Sequence, residues 1–363
     1  MISERAIREF DYPLLVLVLS LACLGVLGVY SASLGTGDSS LYLKQLLRVG
    51  LGLVVCLTVV FIDYRYLVDN AFALYAGSLA LLVTVLLFGT EINGSKSWVS
   101  LAGVRLQPSE LTKIVIILVL ARYLADLNER YLTQRQLLGI VALCLPPVVL
   151  IILQRDLGTA VMYVPIVGGI VLVAGLRRKV LLTTIALALL AAPVGWFTLK
   201  DYQRQRVLVT FDPELDPQGV GYQTRQSQIA IGSGGVMGRG LGNGLQAQLG
   251  YVPESHTDFI FALLAEETGL VGSALILGLY LMFLLRLIGV AESARDRAGI
   301  LVVVGVFCMI FSHVLINVGM ALGIMPAIGI PLPLLSYGGS SILTTFVAIG
   351  LVLNIHLHRY VYS

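Results

Sequence analysis

Charged residues are scarce in this sequence. Its 363 residues include 24 Lys+Arg and 21 Asp+Glu, so 12% are charged, roughly half the usual share for a soluble domain. Hydrophobic residues make up 57%, and a soluble fold could not hide this excess because much of any protein surface is already apolar. The composition therefore excludes a soluble domain and predicts that lipid surrounds most of the chain.

Several other classes are excluded in the same way. A net charge of only +3 excludes a basic nucleic-acid binder, and the apolar content excludes a disordered chain. The four cysteines fall within apolar runs and show no CxxC spacing, so a disulfide-rich secreted domain is excluded and no metal site is indicated. We identify no cofactor motif.

Ten predominantly apolar runs are long enough to cross a bilayer, which takes about 20 helical residues. The runs are 13–33, 46–62, 66–88, 108–124, 137–153, 157–175, 179–199, 258–286, 298–319 and 339–358. We therefore expect an all-α polytopic membrane protein with about ten transmembrane helices, forming one integral membrane domain over 1–363.

The distribution of basic residues predicts the orientation of these spans. With the N-terminus inside, thirteen Lys and Arg side chains fall in or beside inside segments and five beside short outside loops, as the positive-inside rule requires. Both termini are then cytoplasmic, and the long segment 200–257 between spans seven and eight lies outside. Such a loop is usually functional or disordered.

Two short polar segments lie at the predicted outer face. In 91–113, Ser109 can cap a helix, and Glu110 and Lys113 lie three residues apart on one helix face. This ionisable pair is either a structural ion pair or faces substrate. In 154–160, Asp156 precedes a span, where a helix-capping carboxylate is the simpler interpretation.

The long loop and its end carry further candidates. Its glycine-rich stretch, with Arg225 and Arg239, could hold a phosphate or could be a flexible linker. At its end, Thr257 can cap a helix whose first turn contains Asp258, which is then either a dipole partner or a general base. Helical spacing puts Glu266 on the face of Asp258 and Glu267 on the opposite one.

The segment 317–341 has three prolines, five glycines and no charge. It cannot be a regular membrane helix, so it must be buried in protein or line a cavity. We expect a re-entrant or surface-lying outer loop beside the same site. His313, about one turn earlier, is expected to make a structural hydrogen bond, because no second His or Cys has metal spacing.

Three of these blocks together resemble the SEDS family of bacterial cell-wall polymerases. They are PESHTDFIFA followed by EETG, NVGMALGIMP, and GIPLPLLSYGGSS. The ten-span layout agrees, so the resemblance covers nearly the whole chain, and the loop sequence is more similar to elongation-type than to division-type members. One departure is Arg155, where the family usually has proline.

The resemblance implies a peptidoglycan glycosyltransferase that polymerises lipid II at the outer face of the bacterial cytoplasmic (inner) membrane. Asp258 would be the catalytic acid-base residue, beside a Glu110–Lys113 ion pair. A single-pass class B penicillin-binding protein, the crosslinking transpeptidase, would be the partner. The other substrate-binding candidates are Trp98, Arg105, Ser109, Asp156, Arg225, Arg239, His256, Thr257, Glu266, Asn317, Ser336, Tyr337, Gly338, Gly339 and Ser340.

The expected chemistry is deprotonation of an acceptor sugar hydroxyl by Asp258 while a polyprenyl diphosphate leaves. Cationic groups should stabilise that diphosphate; the candidates are Lys113, Arg105, Arg225 and Arg239. A divalent cation could assist, although no ligand set is recognisable. Two other functions remain open, a transporter or flippase for a lipid-linked saccharide and a non-catalytic scaffold for the transpeptidase.

Overall fold

The computed structural model describes 10–38, 40–92, 94–101, 104–126, 131–184, 186, 190, 197, 201–217, 219–252 and 254–359. Helices before the long loop are α1 (Tyr12–Thr36), α2 (Ser40–Phe61), α3 (Tyr64–Asp69), α4 (Ala71–Phe88), α5 (Pro108–Ala125), α6 (Gln134–Leu153) and α7 (Leu157–Gly175). From the loop onward they are α8 (Asp201–Phe211), α9 (Val220–Ser233), α10 (Leu245–Gln248), α11 (Ile260–Ser293), α12 (Arg297–Ala321) and α13 (Gly339–His358).

The predicted fold class is confirmed. Among the described residues, eight helices are long and apolar enough to cross a membrane, and α5 adds a buried apolar helix that also carries Glu110, Lys113 and Arg122. Nine of the ten predicted spans coincide with helices, the third being divided at Asn70 into α3 and α4. In the seventh, 179–199, residues up to 184 are helical, and most of 185–199 lies outside the described residues.

A small sheet, which the sequence did not predict, precedes α5. Its antiparallel strands are β1 (Thr90–Ile92), β2 (Ser95–Leu101) and β3 (Val104–Leu106), in the order β1-β2-β3. The backbone N–H of Lys96 donates to the carbonyl of Gln154 at 3.0 Å, and the Gln154 amide donates to the carbonyl of Leu82 at 2.8 Å. The sheet is therefore fixed to the end of α6, and the residue that fixes it is in turn bonded to α4.

The centre of the molecule is built from α5, α12 and α13. Most residues of these helices are buried, and α12 packs against α5, α7 and α11 while α13 packs against α2. Cores of this kind form in lipid because close packing and interhelical hydrogen bonds replace the hydrophobic drive. Functional groups on α12 and α13 are consequently held on rigid elements.

The described part of the long loop 200–257 is folded. It contains α8, a 3-10 turn (Pro213–Leu215), α9 and α10. The glycine-rich stretch after α9 lies on a kink of α11 at Gly269, whose φ is +68°. Backbone N–H groups of Arg239 and Gly240 donate to the carbonyls of Glu266 and Glu267, at 3.1 and 2.9 Å. The flexible-linker alternative is therefore wrong for this stretch, because its backbone hydrogen bonds are made with α11.

Replacing Gly238 with alanine should detach this loop. Gly238 has a φ of +78°, and an added Cβ would lie 2.1 Å from the carbonyl oxygen of Glu267. Left-handed strain costs about 1–2 kcal/mol, and displacing the backbone costs about 1–3 kcal/mol more. We expect faster limited proteolysis between 236 and 252 and a lower thermal midpoint.

Gly235 provides the matched control for that substitution. It has a φ of +56°, with no atom within 4 Å of an added Cβ. Gly235→Ala should therefore show only the cost of strain. Equal proteolysis of the two variants would show that the Gly238–Glu267 contact does not hold the loop.

Candidate active site

Asp258 lies in a turn that immediately precedes α11. Glu254, with a φ of +53°, starts this turn, and its carbonyl accepts the backbone N–H groups of Thr257 and Phe259 at 3.1 and 3.3 Å. The Thr257 hydroxyl donates within the turn, to the Glu254 carboxylate at 3.0 Å. The prediction that Thr257 caps the helix is therefore wrong: the N-cap is Phe259, and Asp258 lies outside the first helical turn.

The Asp258 carboxylate faces the glycine- and proline-rich segment 317–341. A Cβ on Gly329, whose φ is +72°, would lie 3.4 Å from Asp258 Oδ2. Burial and the nearby Glu254 carboxylate raise the pKa of Asp258 to about 6, against the opposing charge of Arg206 on α8. A carboxyl group with such a pKa is ionised at neutral pH and is a stronger base than an ordinary aspartate.

Two sequence blocks predicted to belong to one site are in direct contact. The Ser336 hydroxyl donates to the Thr257 carbonyl at 2.6 Å and accepts the Leu332 N–H at 2.7 Å. The Tyr337 N–H donates to the His256 carbonyl at 2.8 Å, and their rings meet edge to face with centroids 5.5 Å apart. The turn carrying Asp258 is therefore fastened to the segment before α13.

Arg48 and Gln45 on α2 belong to this region but were not among the predicted site residues. The Arg48 guanidinium lies over the Tyr337 ring, 4.1 Å from its centroid, and the Gln45 amide donates to the Ser336 carbonyl at 3.1 Å. A Cβ on Gly339 would lie 3.3 Å from Arg48 Nε. Their signal in the sequence was a charge inside the apolar run 46–62 and an amide directly before it, and ionisable residues within spans often mark function.

Gly338 and Ser340 lie where α13 begins. Gly338 is the N-cap residue of α13 and has no side chain with which to cap it. The Ser340 hydroxyl accepts the backbone N–H of Gln107 at 2.8 Å, and so joins the start of α13 to the start of α5.

Asp156 caps α7, as the simpler interpretation predicted. Its carboxylate accepts the Thr159 N–H at 3.1 Å and also binds the side chains of Gln107 and Ser109 at 2.7 and 3.1 Å. The same aspartate thus ties the starts of α5 and α7 together. Arg155 has a φ of +62°, which proline cannot adopt, so this turn differs from one that contains proline.

Glu110 and Lys113 form a closed ion pair at 2.7 Å, with the Lys113 side chain 0% exposed. Lys113 Nζ also lies 3.1 Å from His313 Nε2, and His313 Nδ1 lies 2.7 Å from the Met309 carbonyl. A carbonyl can only accept, so Nδ1–H donates to it and Nε2 accepts from the ammonium. Because Lys113 is enclosed, the structure favours a structural pair over its predicted contact with the diphosphate, and His313 makes the structural bond expected of it.

Glu266 and Glu267 both face the glycine-rich loop. Glu266 is 0% exposed and accepts the Gln246 N–H at 3.0 Å, while Glu267 accepts the Gly242 N–H at 3.1 Å and binds the Ser31 hydroxyl. The expectation that Glu266 shares a face with Asp258 and that Glu267 points elsewhere is wrong. The helical spacing did not apply because Asp258 precedes the helix, and the docked loop covers both glutamates.

The remaining predicted cations and Trp98 lie on the small sheet, on α9 and on the glycine-rich loop. Arg105 is exposed on β3 opposite Ser100, and Trp98 on β2 pairs with Thr90. Arg225 on α9 lines a cavity of about 510 Å³ together with Tyr222. Arg239 is exposed, and its Nε donates to the Ser233 carbonyl at 3.2 Å. Arg206 is the basic residue whose charge acts on Asp258, and the sequence did not single it out.

No group of three or more His, Cys, Asp or Glu side chains that could hold a metal ion occurs among the residues with described positions.

Comparison with known proteins identifies the family. The FtsW/RodA/SpoVE family, described as "Cell cycle protein", matches residues 12–361. The chain belongs to this family. The peptidoglycan glycosyltransferase MrdB of Escherichia coli K12 is 39% identical over 354 residues, covering 97% of this chain and 94% of that protein.

Solved structures agree with this assignment. This chain matches a chain of a peptidoglycan synthase complex, solved in a study of how polymerization and crosslinking are coordinated. The TM-score is 0.86 and the identity 37%, over 97% of this chain and 98% of that one. The rod shape determining protein RodA of Thermus thermophilus matches with a TM-score of 0.73 and 34% identity, with the same coverage. The SEDS resemblance inferred from the sequence blocks is thereby confirmed.

Proposed function

We propose that this protein is a peptidoglycan glycosyltransferase that polymerises lipid II into glycan strands during cell elongation. The observation that carries the proposal is the placement of Asp258, a carboxylate with a pKa of about 6 held between the start of α11 and Gly329. The Escherichia coli relative, which carries this activity in its name and is matched over 94% of its length, supports it.

The reaction joins two lipid-linked saccharides. Asp258 accepts the proton of an acceptor hydroxyl, whose oxygen forms the new glycosidic bond at the donor's anomeric carbon as the bond to the polyprenyl diphosphate breaks. Attack opposite the leaving group inverts that carbon. One carboxylate suffices because a diphosphate leaves without being protonated.

A cation other than Lys113 stabilises the departing diphosphate. Lys113 is enclosed with Glu110 and His313. Arg206 acts on Asp258 through its charge, and half-buried Arg48 stands over Tyr337 beside the start of α13. These arginines supply positive charge where the diphosphate develops negative charge.

We further propose ten spans with both termini cytoplasmic, in a bacterial inner membrane with Asp258 facing outside. The excess of Lys and Arg in the inside segments supports this orientation. A single-pass class B penicillin-binding protein is the proposed partner, supported by the match to a chain of a complex that coordinates polymerization and crosslinking. The described loop elements within 201–252 are proposed to belong to the same integral domain, because α9 packs on α11 and α12, α10 packs on α1, and α8 packs on α9.

The test of this function is polymerisation by the purified protein. Lipid II is incubated with the protein, alone and with the transpeptidase, in the presence of a penicillin, and glycan is separated on a gel. We expect penicillin-resistant polymer. If no polymer forms under either condition while lipid II crosses vesicles containing the protein, the protein is a transporter.

The polymerisation rate should depend on pH through Asp258. A base must be unprotonated, so with a pKa of about 6 the rate should rise as pH increases through about 6 and level off above it. Glu254→Gln should move the midpoint lower, because the Glu254 carboxylate raises the pKa of Asp258. Rates measured from pH 4.5 to 8 provide the check. A flat profile, or one unmoved by Glu254→Gln, would contradict the assignment.

A further inference from the structure

Asn317, in the last turns of α12, makes an unusual set of contacts. Its carboxamide nitrogen donates to the backbone carbonyl of Asp258 at 2.8 Å and to that of Ile330 at 2.7 Å. Asn317 is 0% exposed. Both N–H groups of the Asn317 amide therefore join the turn that carries Asp258 to the segment that faces the Asp258 carboxylate.

The second carbonyl is adjacent to the residue that faces Asp258. Gly329, next to Ile330, is the residue whose added Cβ would lie 3.4 Å from Asp258 Oδ2. Holding the carbonyls of Asp258 and Ile330 to one nitrogen sets how far this carboxylate stands from the Gly329 backbone. A displacement of about 1 Å at a reacting group can cost about 10²-fold in rate.

We propose that Asn317 is a positioning residue, whose carboxamide fixes the Asp258 carboxylate relative to the Gly329–Ile330 backbone. This inference rests on the proposed role of Asp258 as the base. The base is then positioned by a side chain of α12, a buried spanning helix. Asn317 lies four residues after His313 and therefore on the same face of that helix. One face of α12 thus holds both the Lys113 ion pair and the turn with Asp258.

Asn354 shows what a purely structural version of this contact looks like. It is also 0% exposed, and its nitrogen donates to the carbonyls of Val60 and Ile62 at 2.7 and 2.8 Å. Its oxygen accepts the Tyr64 N–H at 2.9 Å, so the whole amide is satisfied. It lies near the end of α13 that is remote from the SYGGSS block.

The Asn317 oxygen, by contrast, is buried and has no hydrogen-bond partner among the residues the structure describes. Buried polar atoms in native proteins are nearly always satisfied, and exceptions concentrate where function requires them. The two asparagine side chains are equally buried and donate the same number of hydrogen bonds. They differ at the amide oxygen, which accepts a hydrogen bond in Asn354 but not, among the described residues, in Asn317.

The experiment compares matched substitutions at the two asparagines in the full-length protein. Asn317→Ala and the isosteric Asn317→Asp remove both donors, Asn317→Gln retains them, and Asn354→Ala and Asn354→Asp are the controls. For each protein, kcat and KM for lipid II, the midpoint of the pH–rate profile and the thermal midpoint are measured. Asp258→Asn is assayed alongside.

We expect Asn317→Ala and Asn317→Asp to lower kcat by about 10–100-fold with KM changed less than about twofold. The pH midpoint of Asn317→Ala should move from about 6 toward the ordinary carboxyl value of about 4, because a released turn admits water to Asp258. In Asn317→Asp the new carboxylate opposes this shift, because a nearby negative charge raises the pKa of Asp258. Asn317→Gln, which retains the N–H donors, should have a kcat and a pH midpoint closer to those of the wild type. The Asn354 variants should lose thermal stability with kcat and midpoint unchanged.

Two results would overturn the inference in different ways. If the Asn317 variants lose only stability, as the Asn354 variants do, Asn317 is structural and the role of Asp258 stands. If Asp258→Asn polymerises lipid II at the wild-type rate, the assignment of the base itself fails. Should Asn317→Ala not fold, the isosteric Asn317→Asp and the donor-retaining Asn317→Gln provide the same comparison.

Discussion

Replacing Asp258 with asparagine should lower the rate of glycan polymerisation by about 10²–10⁴-fold, the usual contribution of a general base. Asparagine preserves the size of the side chain and leaves the backbone carbonyl that accepts from Asn317 at 2.8 Å, so the turn should keep its shape. The amide cannot accept the hydroxyl proton. Residual activity should also lose the rise with pH through about 6, because the titrating group is gone.

Asp212→Asn is the matched control for this substitution. Asp212 is an exposed aspartate on the long loop that precedes Asp258, where its carboxylate accepts the Glu214 N–H at 3.1 Å. Its replacement should leave the polymerisation rate within about twofold. Comparable losses in both variants would indicate a general effect of outer-loop charge and would count against a specific base.

Breaking the ion pair of α5 should have the largest effect on stability. Lys113→Met leaves Glu110, a buried carboxylate, without its partner at 2.7 Å, and an uncompensated buried charge costs about 3–5 kcal/mol. We expect a large fall in the thermal midpoint of the purified protein. Polymerisation should fall with it, because α5 is tied through Gln107 to Ser340 at the start of α13.

The double variant Glu110→Gln/Lys113→Met removes both charges and should recover most of the lost stability. Asp126→Asn supplies the exposed comparison: Asp126, just past the end of α5, pairs with Arg122 at 3.2 Å, with side chains 74% and 38% exposed. Its loss should cost less than about 1 kcal/mol. A double variant that is stable but inactive would show that the pair acts on substrate directly.

Much of the membrane fold was accessible to sequence reasoning because apolar runs of bilayer length leave few alternatives. The runs around α12 and α13 illustrate this, since their length and hydropathy require spanning helices. The sheet β1–β3 was missed because its strands are short and embedded in a polar stretch, where no alternation was long enough to indicate a strand. Its position depends on tertiary bonds such as that from Lys96 to the carbonyl of Gln154.

Sequence reasoning singled out several residues that the structure brings together around Asp258, but it did not predict the contacts between them. Asp258 and Ser336 were both singled out, but the bond from Ser336 to the Thr257 carbonyl joins positions 79 residues apart, which no local pattern reveals. Arg48 was counted only as flanking charge because its contact with Tyr337 depends on how α2 packs beside α13. The flexible-linker alternative for the glycine-rich stretch failed because glycine allows close backbone docking as readily as flexibility.

Chemical rescue of Asp258→Ala tests the central claim most directly. Polymerisation of lipid II by the purified variant is measured with increasing concentrations of formate, a small carboxylate that can occupy the space left by the side chain. A general base at this position predicts almost no polymer without formate and a rate that rises with its concentration. Polymer formed by Asp258→Ala at the wild-type rate without formate would contradict the account.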